Sequence, residues 1–411
     1  MTKRTYLTLL LIILLYAIAY AAILTSQIDT GCLILYSLPK NLCRNSSGNL
    51  HVVYTKSDGT KYQILYGKST DSGANWTVSS LTSASYDQYY PTIACDSSDN
   101  LHVAWYGKTS TRTTKNQIRY MKYSSGAWSG ITEITDENYN NYCPQIAVDG
   151  SDVIHLVWHG GAGGEIRHNY YTSGAWQGIT NITNETSAQT YPLLAIDSTN
   201  VVHVVWAGID AGLGSSRIRY ASWNGAWSGD TNLTDGNYAS LLPSIAIDSN
   251  NYLHVVCYCK SATSTVLYQI GYILYNGSWQ AETDLTSDAT YSQYSPSIAV
   301  DSNDYLHVVW YGRHSGSTTF SQIRYLLNNG SWQAIVNLTS DDAEDNNYAN
   351  LMWAMHPTIS GTKPSRPHDG YCFIWMDNDD PWYYASTDIS WDTTVTTTTT
   401  ISAARRMFMV Q

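Results

Sequence analysis

Six histidines keep one position relative to an acid or amide. His102, His155, His203, His254 and His307 each stand six residues after Asp96, Asp149, Asp197, Asp248 and Asp301, and His51 stands six after Asn45. Imidazole beside carboxylate can ligate a metal or relay a proton. One site needs one such pair, however, and a pair in every copy of a repeat spreads the groups too far apart to share an ion. The spacing therefore predicts a hydrogen bond that locks a hairpin in each copy. The same logic makes Arg119, Arg167, Arg219 and Arg324, all in Ile-Arg-Tyr-like blocks, packing partners rather than a carboxylate-binding cluster.

Cleavage of a glycosidic bond needs a proton donor or acceptor at fixed separation from a nucleophile or second carboxylate. Glu165, after the run Gly160 to Gly164, is the catalytic candidate, with Asp87, Glu137 and Asp342 beside it. Aromatic planes among amides and carboxylates suit sugars, which present apolar C–H faces and hydroxyl edges. Tyr86, Tyr89, Tyr139, Tyr191, Tyr238, Tyr291, Tyr348 and Trp353, with Arg313, are the ligand-binding candidates, on segments that differ from repeat to repeat. Each tyrosine has packing under its loop as the competing role. The run Asp301 to Asp304 lacks the D-x-D-x-D-G spacing of a calcium loop. Seven cysteines, odd in number and without a C-x-x-C pair, specify neither a disulfide framework nor a zinc site. No metal and no cofactor is expected.

The elements that must position these groups follow from an internal repeat. Pro91 to Asp96 and Leu101 to Trp105 recur from Pro144, Pro192, Pro243 and Pro296, with an earlier copy around Asn45 and His51 and a divergent last one from Pro357 to Trp375. A second block ends in Trp76, Trp128, Trp176, Trp227, Trp279, Trp332 and Trp391, about fifty residues apart. Each unit holds four short apolar or β-branched runs between Gly, Ser, Asn and Asp turns, which reads as a four-stranded blade. The fold class is all-β: a single seven-bladed β-propeller of antiparallel blades, with six or eight blades as the alternatives. A closed ring buries both faces of each blade, and residues 31–37 are placed to close it by supplying the outer strand of the last blade.

The 411 residues carry a formal charge of −11 with scattered Lys and Arg, which excludes a phosphate-backbone partner; no nucleic acid is expected. Residues 1–25 have the charged start, apolar run and small residues of a signal peptide, with a signal anchor as the alternative and the only membrane attachment expected. The chain is therefore expected outside the cell or on its surface. The propeller is expected over 31–395 and a Thr-rich, unstructured tail over 396–411.

One turn is more specific. Ser69-Thr-Asp71-Ser-Gly73-Ala-Asn-Trp76 matches the Ser-x-Asp-x-Gly-x-x-Trp box, and the other repeats keep its Gly and Trp. In this the chain resembles the sialidase-like (Asp-box, or BNR-repeat) β-propeller superfamily. The resemblance implies a structural role for Ser69, Asp71, Gly73 and Trp76 on the face opposite an active site. It does not extend to the Phe/Tyr-Arg-Ile-Pro motif or to an arginine triad. The expected function is non-catalytic recognition of glycans or another extracellular ligand. A glycoside hydrolase or polysaccharide lyase of that superfamily, using Glu165 and a loop tyrosine, is one alternative; a structural surface-layer module is the other.

Overall fold

A computed structural model describes residues 40–338, apart from 72, 186, 210–213, 236 and 261–264. It also describes the backbone of strands Leu24–Gln27, Cys32–Leu33, Asn346–Met352, Tyr371–Asp377 and Asp380–Thr387. Residues 1–23 of the signal segment, Asp342, Trp353 and the Thr-rich tail lie outside the described residues.

The described elements are all strands, and they form seven antiparallel sheets of four or five strands each. The second sheet is representative: Gln88–Cys95 innermost, then Leu101–Gly107, Gln117–Ser124, and the short outer strands Ala127–Trp128 and Thr132–Glu133. The chain folds as the propeller its repeat predicts.

Ring closure differs from the expectation. Leu24–Gln27, not 31–37, pairs with Asp380–Thr387 and becomes the outer strand of the last sheet, Leu24 opposite Ser386 and Gln27 opposite Tyr383. Cys32–Leu33 instead joins the first sheet, with Cys32 opposite Lys56. The inner strand Leu42–Arg44 has three residues against the eight of its partner Leu50–Ser57, so Cys32–Leu33 extends the short edge. The inner strand of the last sheet is Asn346–Met352 rather than the segment at Pro357.

The core lies between neighbouring sheets. Ala104 and Ile118 of the second meet Ile146, Leu156 and Trp158 of the third, and Val205 and Ile218 of the fourth meet Ile245 and Val255 of the fifth. A strand covered on both faces reads as a continuous apolar run, as Leu101–Gly107 does. Outer-hairpin tryptophans stand edge-on against the preceding sheet: Trp128 on Tyr66, Trp176 on Tyr120 and Trp279 on Tyr220, at 4.9–5.2 Å between ring centres.

The acid–histidine repeat is a lock. Asp96 accepts the N–H groups of Ser98 and Asn100 at 3.0 and 2.8 Å and faces His102 Nε2 at 3.2 Å, while His102 Nδ1 meets the Tyr120 hydroxyl at 2.7 Å. Asp197, His203 and Tyr220 repeat the arrangement. In the third sheet His168 replaces the tyrosine, its Nε2 lying 3.2 Å from His155 Nδ1. Each lock is internal to its sheet, as the spacing predicted.

Two recurring devices were not legible as such. Every inner strand from the second sheet to the sixth carries a bulge at its X-Pro step, with Tyr90, Cys143, Tyr191, Leu242 and Ser295 at φ of 44–57°. Proline has no N–H for the ladder, so the register slips there. Left-handed residues also tie turn to turn around the ring. Asp152 (φ 59°) accepts Ser97 N at 2.9 Å and Ser97 Oγ at 2.5 Å, and Asp304 (φ 63°) takes the same two groups of Ser249.

The cysteines do include one staple: a Cys43–Cys95 disulfide joins the inner strands of the first two sheets. The two residues sit one step apart in their repeats, which hid the pairing. Across the ring, Lys40 Nζ donates to the Leu194 carbonyl at 2.9 Å, and burial lowers its pKa to about 8.

Candidate functional site

The site is built on a platform repeated beneath the loops. Gln88, Asn141, Gln189 and Gln293 open their inner strands, and each side-chain oxygen accepts a buried indole N–H, from Trp105, Trp158, Trp206 and Trp310, at 2.8–2.9 Å. The same oxygens accept Arg119, Arg167, Arg219 and Arg324 at 3.0–3.3 Å. Each guanidinium lies over its tryptophan, 5.7–5.9 Å from the ring centre. The glycine two residues after each tryptophan leaves room for the amide: a Cβ at Gly107 would lie 2.3 Å from Gln88 Oε1.

Three of these arginines are also paired with carboxylates, while Arg324 donates to the Asn337 and Gln293 side-chain oxygens. Glu133 holds Arg119, and Glu137 holds Arg167 through both oxygens at 2.7 and 3.0 Å. Glu185 and Asp230 hold Arg219. The Arg167 contact keeps the Glu137 carboxyl below its ordinary range, so Glu137 is an anion with its lone pairs engaged.

Above the third sheet the platform opens into a cleft of about 480 Å³. Its lining includes Lys115, Tyr139, Tyr142, His159 and Gly160 to Gly164 without Ala162. His159 follows Trp158, where the other sheets carry Tyr106, Ala207, Tyr258 or Tyr311. Its ring lies between Tyr142 and Tyr191, with centres 5.6 and 5.7 Å away, and its Nδ1 accepts the Tyr191 N–H at 3.5 Å. Burial lowers the His159 pKa to about 4, so the imidazole is neutral at pH 7. The glycine run keeps the wall low: Gly161 and Gly164 have φ of 85° and 76°, and a Cβ at Gly163 would lie 2.7 Å from Glu165 Oε1.

Of the residues singled out from the sequence, the fold brings Tyr139 to the lining of this cleft, while Glu165 stands behind it against Gly163 and Tyr191 behind it against His159. Glu165 Oε1 accepts the Gly163 N–H at 3.1 Å, and its buried Oε2 has no hydrogen-bond partner. Tyr139 is 48% exposed on the rim. Tyr89 lies elsewhere, packed between Tyr62 and Tyr106, its pKa raised by burial to about 12. Tyr89 and Tyr191 are also strand residues rather than loop residues, because the inner strands begin earlier than the prolines suggest. Tyr86, Tyr238 and Tyr291 are half-buried at other sheets, Arg313 is exposed at the sixth, and Tyr348 lies within Asn346–Met352. Asp87 accepts the Tyr62 N–H at 3.0 Å. His159 and Lys115 were missed. The departure of His159 from its repeat position was the available signal.

The Ser69–Trp76 turn is held as its residue types require. Asp71 Oδ1 accepts the Asn75 N–H at 2.9 Å, Ser69 Oγ accepts that of Gly73 at 2.8 Å, and Trp76 Nε1 donates to the Gly73 carbonyl at 3.0 Å. It joins a third strand to a fourth, whereas the cleft is lined by second-to-third-strand and sheet-to-sheet loops, so the two lie at opposite ends of the strands.

No protein-family model and no curated protein matches this sequence. Solved structures match its fold. A PL25 ulvan lyase bound to -[GlcA(1-4)Rha3S]- is 10% identical with a TM-score of 0.59, covering 87% of this chain and 95% of its own. The polysaccharide lyase Uly1 is 9% identical with a TM-score of 0.55, over 85% and 89%. The α-L-arabinofuranosidase Arb93A of Fusarium graminearum is 12% identical with a TM-score of 0.51, over 77% and 98%. The likeness of this chain to these structures is one of fold.

Proposed function

We propose that this chain is a glycan-active enzyme that cleaves an acidic polysaccharide in the His159 cleft by β-elimination. The observation that carries the reading is a neutral imidazole set between two tyrosines in a cleft that also presents a lysine. Hydrolysis by a carboxylate pair fits less well, because no carboxylate is among the described residues that line the cleft and nearby Glu137 is engaged by Arg167. The lyases and the glycosidase that share the fold support action on glycans over passive recognition.

In this scheme the Lys115 ammonium pairs with a uronate carboxylate and acidifies the C–H next to it. His159 Nδ1 gives up its long contact with the Tyr191 N–H and takes that proton while Nε2 keeps its own, the electron pair forms a C=C bond, and the β C–O bond breaks. The departing oxygen is protonated from Tyr139, Tyr142 or water. A bound carboxylate raises the His159 pKa from its low resting value, which makes it a better base when substrate is present. Secretion or surface display belongs to the same proposal, since a Cys43–Cys95 disulfide suits an oxidising compartment.

The test is turnover of uronate-containing polysaccharides, followed by the ultraviolet absorbance of the unsaturated product. His159→Ala is expected to lower kcat by about 100-fold or more, the usual scale for a proton-transfer group, and Lys115→Ala to raise KM. New reducing ends without unsaturation would replace elimination by hydrolysis. Binding without turnover would return the chain to glycan recognition.

A further inference from the structure

The fifth sheet breaks the platform rule in a coordinated way. Ser240 stands where the glutamine should be, Cys257 replaces the tryptophan, Cys259 the glycine, and Gly271 the arginine. Ser240 lies directly opposite Cys259, as Gln88 lies opposite Gly107. Four substitutions on paired strands thus remove an amide, an indole and a cation together. Two thiols take part of that room.

A carboxylate takes the rest. Glu282 sits three residues after Trp279, where the second, third and sixth sheets have Ile131, Ile179 and Ile335. A Cβ at Gly271 would lie 2.5 Å from Glu282 Oε1 and 2.7 Å from Cys259 Sγ, so the loss of the arginine side chain is what admits both groups. Cys257 and Cys259 are fully buried and are not disulfide-bonded. Glu282 is half-buried, and its Oε1 has no hydrogen-bond partner. One donor atom from each of the three residues lies within 4.8 Å of the others.

We propose that Cys257, Cys259 and Glu282 form a binding site for a thiophilic divalent cation, zinc by its chemistry, separate from the His159 cleft. Two sulfurs and one oxygen around a small volume match the tetrahedral preference of zinc, with a fourth position open to water or to the Ser240 hydroxyl. Zn–S bonds of about 2.3 Å require donor atoms about 3.7 Å apart, within a side-chain rotation of the spacing present. The cation displaces the two thiol protons to solvent, so binding leaves the net charge of the site unchanged and its affinity rises with pH. Half-exposed Glu282 provides the way in. The alternative fate of such a pair is a disulfide, but residues two apart on one extended strand lie at the far limit of Cα separation for that bond.

The test titrates reduced, chelator-stripped full-length protein with cobalt(II) under anaerobic conditions. One equivalent is expected to bind with a thiolate-to-cobalt charge-transfer band, and zinc is expected to compete it away. The band is expected to vanish in Cys257→Ser and Cys259→Ser and to persist in Cys143→Ser, a buried free cysteine in the third sheet. Glu282→Gln is expected to weaken binding by about 100-fold or more, since even outer partners of a ligand typically account for 10–100-fold. A second measurement uses only the unaltered chain: zinc should protect Cys257 and Cys259 from alkylation relative to Cys143. The proposal falls if no charge-transfer band appears, if the band survives in both cysteine variants, or if zinc protects none of the three thiols selectively.

Discussion

Gly107→Ala tests the platform directly, because the fifth sheet already contains its compensated form. The new Cβ would lie 2.3 Å from Gln88 Oε1, 2.6 Å from Cδ and 2.7 Å from Nε2, so the amide must move. It is fully buried and tied by four hydrogen bonds: from Trp105 Nε1 at 2.8 Å and Arg119 at 3.0 Å, and to the carbonyls of Tyr86 and Lys108 at 2.9 and 3.1 Å. Moving it strands a buried indole N–H, at about 1–3 kcal/mol, and weakens a charge-assisted bond whose arginine keeps Glu133. Gly107→Ala alone should therefore cost about 3 kcal/mol. Gln88→Ser strands the same donors and opens a cavity, so it should cost about 3–4 kcal/mol. In the double variant the methyl enters vacated space, and the total should match that of Gln88→Ser, a favourable coupling of about 2–3 kcal/mol. Urea denaturation of the four proteins at matched m-values measures it. Costs that add to within about 0.5 kcal/mol would refute the reasoning.

Stability should also fall as pH drops below neutrality. Burial lowers the pKa of His51 to about 4 and of His168 to about 3, while in the unfolded chain both titrate near 6.5. The unfolded chain thus takes protons first, so the stability these residues contribute is present above pH 6.5 and is lost on the way down to their folded values. Each should account for about 2 kcal/mol at pH 5, and His168→Tyr, the residue most sheets carry there, should reduce the loss. An unchanged urea midpoint between pH 7 and pH 5 would contradict this. Removing the Cys43–Cys95 disulfide, whose partners are 52 residues apart, should cost about 4 kcal/mol on a loop-entropy estimate, read as a lower denaturation midpoint in the doubly substituted Cys→Ala protein.

The repeat made the propeller legible, because period, turn residues and β-branched runs are local properties that survive without coordinates. The acid–histidine lock was legible for the same reason: its partners sit six residues apart across one hairpin. The chemistry was not. Glu165 could be singled out by type, but whether a carboxylate is free depends on what reaches it, and Glu137 is engaged by an arginine 30 residues away. His159 and Lys115 share a cleft only because two loops meet above the third sheet, and Tyr89 and Tyr191 belong to strands that continue through a bulge at the proline, where the proline reads locally as a strand start.

Closure and the cysteines show the same division. The sequence by itself determined that strands of this type must pair in units of about fifty residues and must close. Which segment closes the ring, which two cysteines meet, and that Cys257, Cys259 and Glu282 fill the room left by a missing glutamine, tryptophan and arginine were decided by tertiary structure. Those outcomes depend on register and on the volume that distant side chains vacate, and no stretch of chain carries either quantity alone.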